Sequence, residues 1–152
     1  MGGEGARKLR GLSAADSLKR LASSQYGRIV YSRRGTPIIR PVNHIVEEGA
    51  VVVRAQLGAS LLRGDGELVA FEADSFDEST RRGWSVIVTG VAHIVRDPDQ
   101  VRHYEALLDP WITFPRDHLI RIETEVVTGL ELVEDCVDGP SAAAPPAVED
   151  RR

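Results

Sequence analysis

Thr36-Pro37-Ile38-Ile39-Arg40-Pro41-Val42-Asn43-His44-Ile45-Val46-Glu47-Glu48-Gly49-Ala50-Val51-Val52-Val53-Arg54-Ala55 is the stretch that decides the fold. Residues 36–46 read as one strand, Glu47-Glu48-Gly49 as a turn, and Ala50 to Ala55 as the partner strand. Each strand carries an arginine among apolar neighbours, Arg40 on the first and Arg54 on the second. An arginine cannot be deprotonated in a protein, and burying one unpaired is expensive. Two of them on paired strands suggest an anionic ligand. The competing reading lays both stems flat and sends both heads to water or a carboxylate. Spacing alone favours the second.

Working outward, Ser13-Ala14-Ala15-Asp16 opens a helix with Ala14, Leu18, Leu21 and Ala22 as its apolar face and Ser13 as its cap. Tyr26 to Ser32 reads as a strand that turns through Arg33-Arg34-Gly35. A short helical turn is expected between Gln56 and Gly64, followed by a strand from Leu68 to Ala73 and a polar loop from Ser75 to Arg82. Gly83 to Val95 is the longest strand; both of its faces are largely apolar, which argues for a central position, and Gly90 marks a bulge or bend. Asp97-Pro98-Asp99-Gln100 is a strong helix start, with a stop expected near Leu108 ahead of Pro110. Leu119 to Ile122 and Val126 to Val133 read as two last strands.

The expected organisation is a flexible arm over residues 1–12, one domain over 13–133 and a disordered tail over 134–152, the tail rich in Ala, Pro and Ser. Short strands, tight turns and two helices describe a mainly β protein, a small antiparallel barrel with helical caps.

Composition excludes several classes. A net charge of −4 over 152 residues argues against nucleic acid as the main partner. Cys136 is the single cysteine, so no internal disulfide or cysteine metal cluster is available. His44, His93, His103 and His118 lack metal-ligand spacing, so no metal site is expected. The start Met1-Gly2-Gly3-Glu4-Gly5 lacks a signal peptide's apolar core, and no apolar run approaches membrane length. No membrane partner and a cytoplasmic location are therefore expected. Ser-His-Asp arrangements, glycine-rich phosphate loops and zinc signatures are absent.

Five strings, in order, resemble the pyridoxamine 5'-phosphate oxidase-like family, and more closely its small actinobacterial members. They are Gly27-Arg28-Ile29-Val30, Arg40-Pro41-Val42-Asn43-His44, Val53-Arg54-Ala55, Gly83 to Ala92, and Val127-Thr128-Gly129. The resemblance covers residues 13–133. It implies a split antiparallel β-barrel, a homodimer, and a flavin mononucleotide (FMN) in each of two clefts between subunits. Arg40, Pro41, Val42 and Asn43 would lie along the cofactor, with the arginine toward phosphate or ribityl chain. Arg54 and Ala55 would continue the site, and Trp84 and Ser85 would approach the flavin from the cleft floor or the other chain. Ala59 and Ser60 stand where many relatives carry a basic residue. Ser60 offers a hydroxyl to the phosphate but no charge, which leaves deazaflavin or haem, used elsewhere in the superfamily, as alternative cofactors.

The resemblance implies an oxidoreductase passing hydride or electrons between bound flavin and a small-molecule donor or acceptor. Residues that would hold a substrate phosphate, as in a true pyridoxamine phosphate oxidase, are not evident. A non-catalytic flavin-binding or sensing protein and a cofactor-free interaction barrel are the competing classes. Trp84 reads either as core or as a cofactor contact, and His44 either as a structural histidine or as a proton donor. Asp77, Glu78, Arg81 and Arg82 read as a solvated rim, and Trp111 and Phe114 as a cleft wall or a dimer contact.

Overall fold

The computed structural model describes residues 7–56, 66–111 and 115–134. Among these residues seven strands and two helices follow in the order β1 (Arg7–Leu12), α1 (Ala14–Ala22), β2 (Tyr26–Arg33), β3 (Thr36–Glu47), β4 (Ala50–Ala55), β5 (Glu67–Asp77), β6 (Arg82–Ile94), α2 (Pro98–Leu107) and β7 (His118–Glu134). Every strand pairing is antiparallel, and six strands close a ring in the order β7-β4-β3-β2-β5-β6, with β6 pairing back onto β7. This is the split-barrel architecture.

The β3–β4 hairpin closes on Glu48 and Gly49, with φ of 50° and 77°, the positive values a two-residue primed turn requires. Val51, Val53 and Ala55 point into the barrel, where they join Ile29, Phe71, Val86, Val88, Ile120 and Ile122. Val52 points outward, to a second cluster with Val95, Tyr104, Leu108 and Leu119 beneath α2. That helix starts as its sequence dictates, with the Asp97 carboxylate accepting from the Gln100 N–H at 3.0 Å and Pro98 in the first turn.

The split has a definite place. β3 pairs with β2 from Thr36 to Asn43 but with β4 only from His44 to Glu47. Among the described residues the other edge of Thr36–Asn43 is therefore unpaired, a position that tolerates Pro37 and Pro41.

Several expectations are corrected. Residues 7–12 form β1 rather than a flexible arm: β7 runs beyond the end of β4, and β1 pairs with its Gly129–Glu134 portion. Glu131 fastens this corner by accepting from Arg10 and, at 2.5 Å, from Arg20 of α1. The two last strands are one. β7 absorbs Glu125 as an extra residue where the register shifts opposite Thr89 and Gly90, and a Cβ on Gly90 would stand 1.8 Å from the Glu123 carbonyl oxygen. β5 continues to Asp77, which shortens the expected loop. In α1 the buried residues are Leu21 and Ser17, while Ala14 and Ala22 are exposed. Ser17 reaches the barrel because residue 129 is glycine; a Cβ there would lie 2.2 Å from its hydroxyl oxygen. β6 is central through pairing with β5 and β7, yet its outer face is not buried, and Ile87 is 44% exposed. Arm residues 1–6, the helical turn expected between 56 and 64, Ser60, Phe114, Cys136 and the tail beyond Glu134 lie outside the described residues.

Candidate functional site

Strand alternation decides which face each nominated residue occupies. On β3, Ile38, Val42 and Val46 pack against the inner cluster, so Arg40 shares the inner parity and Ile39, Pro41 and Asn43 the outer one. On β4, Val53 and Ala55 are inward, so Arg54 is outward. The two arginines sit on opposite faces of the sheet. A single phosphate bound to one chain cannot engage both.

Arg40 lies beside the unpaired edge, is exposed, and donates to the Ile39 carbonyl at 3.2 Å. Arg54 lies beneath α2, where its Nη1 donates to Glu105 Oε1 at 3.2 Å. Its Nε is buried and has no hydrogen-bond partner among the described residues. A buried donor on a permanently charged group is costly to leave unmade. That orphaned N–H is what a phosphate or carboxylate oxygen would satisfy.

Asn43 is already engaged: its amide nitrogen donates to the Gln25 carbonyl at 3.1 Å, and its Oδ1 accepts from the Trp111 backbone N–H at 2.7 Å. It borders a cleft of about 290 Å³ between the end of α1, the outer side of β3 and the end of α2. Val42 is half-buried against the core, Pro41 exposed, and Ala55 buried inside the barrel. Trp84 is 8% exposed and part of the core, and it also lines a separate cleft of about 490 Å³ with Arg20, Arg82 and Glu131. Ser85 is half-buried on the outer face, paired with Asp74 and Leu130. The nominated residues thus fall into four places in one chain: the open edge at Arg40, the outer face at Asn43, Arg54 and Ser85, the barrel interior at Val42 and Ala55, and the cleft at Trp84.

His44 serves the fold. It is 2% exposed, packs its ring on Phe71 at 4.7 Å, and holds Nε2 2.8 Å from the Leu21 carbonyl oxygen. A carbonyl only accepts, so Nε2 carries the proton and ties β3 to α1. Burial lowers its pKa below the usual 6.5, with the Leu21 hydrogen bond opposing more weakly. The unfolded chain then binds the proton more readily than the native one, so this contribution to stability is present above about pH 6.5 and is lost as pH falls. Melting temperatures are expected to drop between pH 7.5 and 5.5, and His44→Gln should flatten that dependence. An unchanged slope would refute it.

Contacts that strand and motif reading did not foresee gather beside Asn43, around Trp111, which was expected as a cleft wall or a dimer contact. Trp111 stacks on Tyr26 with ring centroids 5.4 Å apart and planes 7° from parallel, and the Arg28 guanidinium lies 5.8 Å from the Tyr26 centroid. Arg28 also donates to Glu72 at 2.8 Å. Hydrogen bonding to Glu72 raises the Arg28 pKa; burial raises that of Glu72, with Asp74 adding to the effect. Apart from the Arg28–Tyr26 contact within β2, no local signal marks these contacts, because each joins residues at least 44 positions apart or depends on where α2 docks.

Among the described residues no group of three or more His, Cys, Asp or Glu side chains converges as for a metal, and no helix is long and apolar enough to cross a membrane.

Comparison with known proteins adds identity to this geometry. A family model described as pyridoxamine 5'-phosphate oxidase matches residues 13–134. An uncharacterized protein of Mycobacterium tuberculosis is 43% identical over 138 residues, covering 87% of this chain and 91% of its own length. A Corynebacterium glutamicum crystal structure, provisionally named a pyridoxamine 5'-phosphate oxidase, superposes with a TM-score of 0.69 at 33% identity, over 89% of this chain and 98% of that one. The FAD-binding protein of Mycobacterium smegmatis superposes with a TM-score of 0.62 at 34% identity, over 80% of this chain and 95% of that one. Motif order, ring closure and the span of these matches agree: the chain belongs to the pyridoxamine 5'-phosphate oxidase-like family of split-barrel proteins.

Proposed function

We propose that this protein binds FMN at clefts shared by two copies of the chain and acts as an oxidoreductase on an unidentified small molecule. The observation that carries the reading is the buried Nε of Arg54, without a hydrogen-bond partner among the described residues, on the outer face next to Asn43. A guanidinium with a spare buried donor suits a phosphate oxygen better than it suits water. Bound flavin supplies the two-electron chemistry, and the chain's residues supply binding, orientation and exclusion of water. Arg54 would hold the phosphate, Asn43 would orient the polar chain, and Trp84 and Ser85 of the second copy would border the ring. Arg40, on the opposite face, would reach a cofactor only where a second copy brings the two faces together.

The outer face supports a second copy. Ile39, Leu68, Ile87 and Val126 are 58%, 63%, 44% and 56% exposed. Strand register puts all four on the outer side, on β3, β5, β6 and β7, with β2 lying between β3 and β5. A contiguous apolar surface of this kind marks an interaction site. Ile87→Glu should convert a dimer into a monomer in analytical ultracentrifugation at micromolar concentration and weaken flavin binding with it. A wild-type monomer would remove the composite cleft from the account.

FAD is the second reading for the cofactor, favoured by the FAD-binding relative at 34% identity. Titration of the flavin-free chain with FMN, FAD and riboflavin separates the two. Turnover of pyridoxamine 5'-phosphate is not part of the proposal. The test of the redox role is anaerobic: a nicotinamide should bleach the flavin, and an added acceptor should restore its colour. A flavin that binds but resists reduction by every nicotinamide would indicate a storage or sensing protein instead.

A further inference from the structure

Three residues lie in a row on the outer face. Tyr26 of β2 pairs with Asn43 of β3, and the β3–β4 ladder ends at His44 and Val53, one step short of Asn43 and Arg54. All three are engaged by one stretch of chain, the end of α2 and the residues after it. Glu105 presents a carboxylate to Arg54 at 3.2 Å. The Trp111 backbone N–H donates to Asn43 Oδ1 at 2.7 Å, and the Trp111 indole stacks on Tyr26.

These contacts are not ordinary burial. Trp111 stays 66% exposed, the Glu105 side chain 48%, and the neighbouring Leu107 52%. The carboxylate leaves the Arg54 Nε without a partner among the described residues, so it fills the arginine's donors only in part. An anion on a guanidinium and a planar ring on a tyrosine, six residues apart, are the two halves of a phosphate-bearing aromatic ligand.

We propose that Tyr26, Asn43 and Arg54 form a subsite for such a ligand, with Tyr26 as the stacking platform, and that residues 105–111 occupy it as a competing internal ligand. The proposal rests on the flavin reading of Arg54. Binding of the phosphate displaces Glu105, and the planar ring takes the face of Tyr26 that Trp111 covers. The chain's own segment thereby sets affinity: a ligand with both an anion and a ring displaces both of its contacts, and one with a ring alone displaces only Trp111.

The experiment measures FMN and riboflavin dissociation constants for the wild type, Glu105→Gln and Trp111→Ala. Freeing Arg54 from an exposed ion pair should tighten FMN binding about fivefold and leave riboflavin unchanged. Trp111→Ala should tighten both ligands. Backbone hydrogen exchange in residues 98–111 should quicken when the wild type binds FMN. Weaker binding of both ligands by Trp111→Ala would make Trp111 a ligand contact and overturn the competition. So would unchanged constants in both variants of a wild type that binds FMN, or slower exchange across 98–111 on binding. If neither the wild type nor either variant binds FMN, the flavin reading itself falls, and this proposal falls with it.

Discussion

Phe71→Ala is expected to destabilise the fold by about 3–5 kcal/mol, the range for removing a buried aromatic from a core that cannot collapse. Phe71 is fully buried on β5 and packs on His44. A Cβ on Gly27, in the neighbouring strand β2, would stand 2.4 Å from the Phe71 ring, so the glycine yields its space to the phenyl group. Truncation therefore empties a volume bounded by strands of a closed ring, where no single strand can move inward without breaking its ladders. Urea unfolding with an unchanged m-value checks this. A loss below about 1 kcal/mol would mean that the barrel closes over the gap, contrary to the packing described.

Arg54→Ala is expected to weaken FMN binding roughly ten- to hundredfold, the loss of charge-assisted hydrogen bonds of about 1.5–3 kcal/mol. Its effect on folding should be small, because the ion pair it breaks with Glu105 is partly exposed on both sides. Riboflavin has no phosphate and should bind the variant almost as well as the wild type. Isothermal titration of both ligands into both proteins reads this directly. Equal weakening for the two ligands would assign Arg54 to packing beneath α2 rather than to an anion.

The framework was legible where local chemistry and period agree. The β3–β4 hairpin and the Asp97 and Ser13 caps follow from residues close in sequence, and Gly90 marks the bulge from the β6 side alone. What failed depended on distant partners. Arg7–Leu12 looks like a polar arm because nothing local shows that β7 outruns β4 and offers an edge. Glu123-Thr124-Glu125 looks like a break between strands because a bulge that absorbs one residue reads as lost alternation. Ser17 was passed over because its burial is made possible by Gly129, more than a hundred positions away.

The site was legible as a set of residue types rather than as a place. Motif order nominated Arg40 and Arg54 together, yet alternation on two strands sends them to opposite faces. Tyr26 faces Asn43 through the β2–β3 ladder, whereas Glu105 and Trp111 carry no motif and reach Arg54, Asn43 and Tyr26 only through the docking of α2 and the residues after it.

The absorbance spectrum of the purified chain, with the cofactor released and identified by mass, tests the central claim most directly. The account predicts a yellow protein with flavin absorbance, or a colourless one that takes up one FMN per chain on reconstitution, in either case through Arg54. A chain that stays colourless and binds neither FMN nor FAD at concentrations of tens of micromolar or more would contradict it.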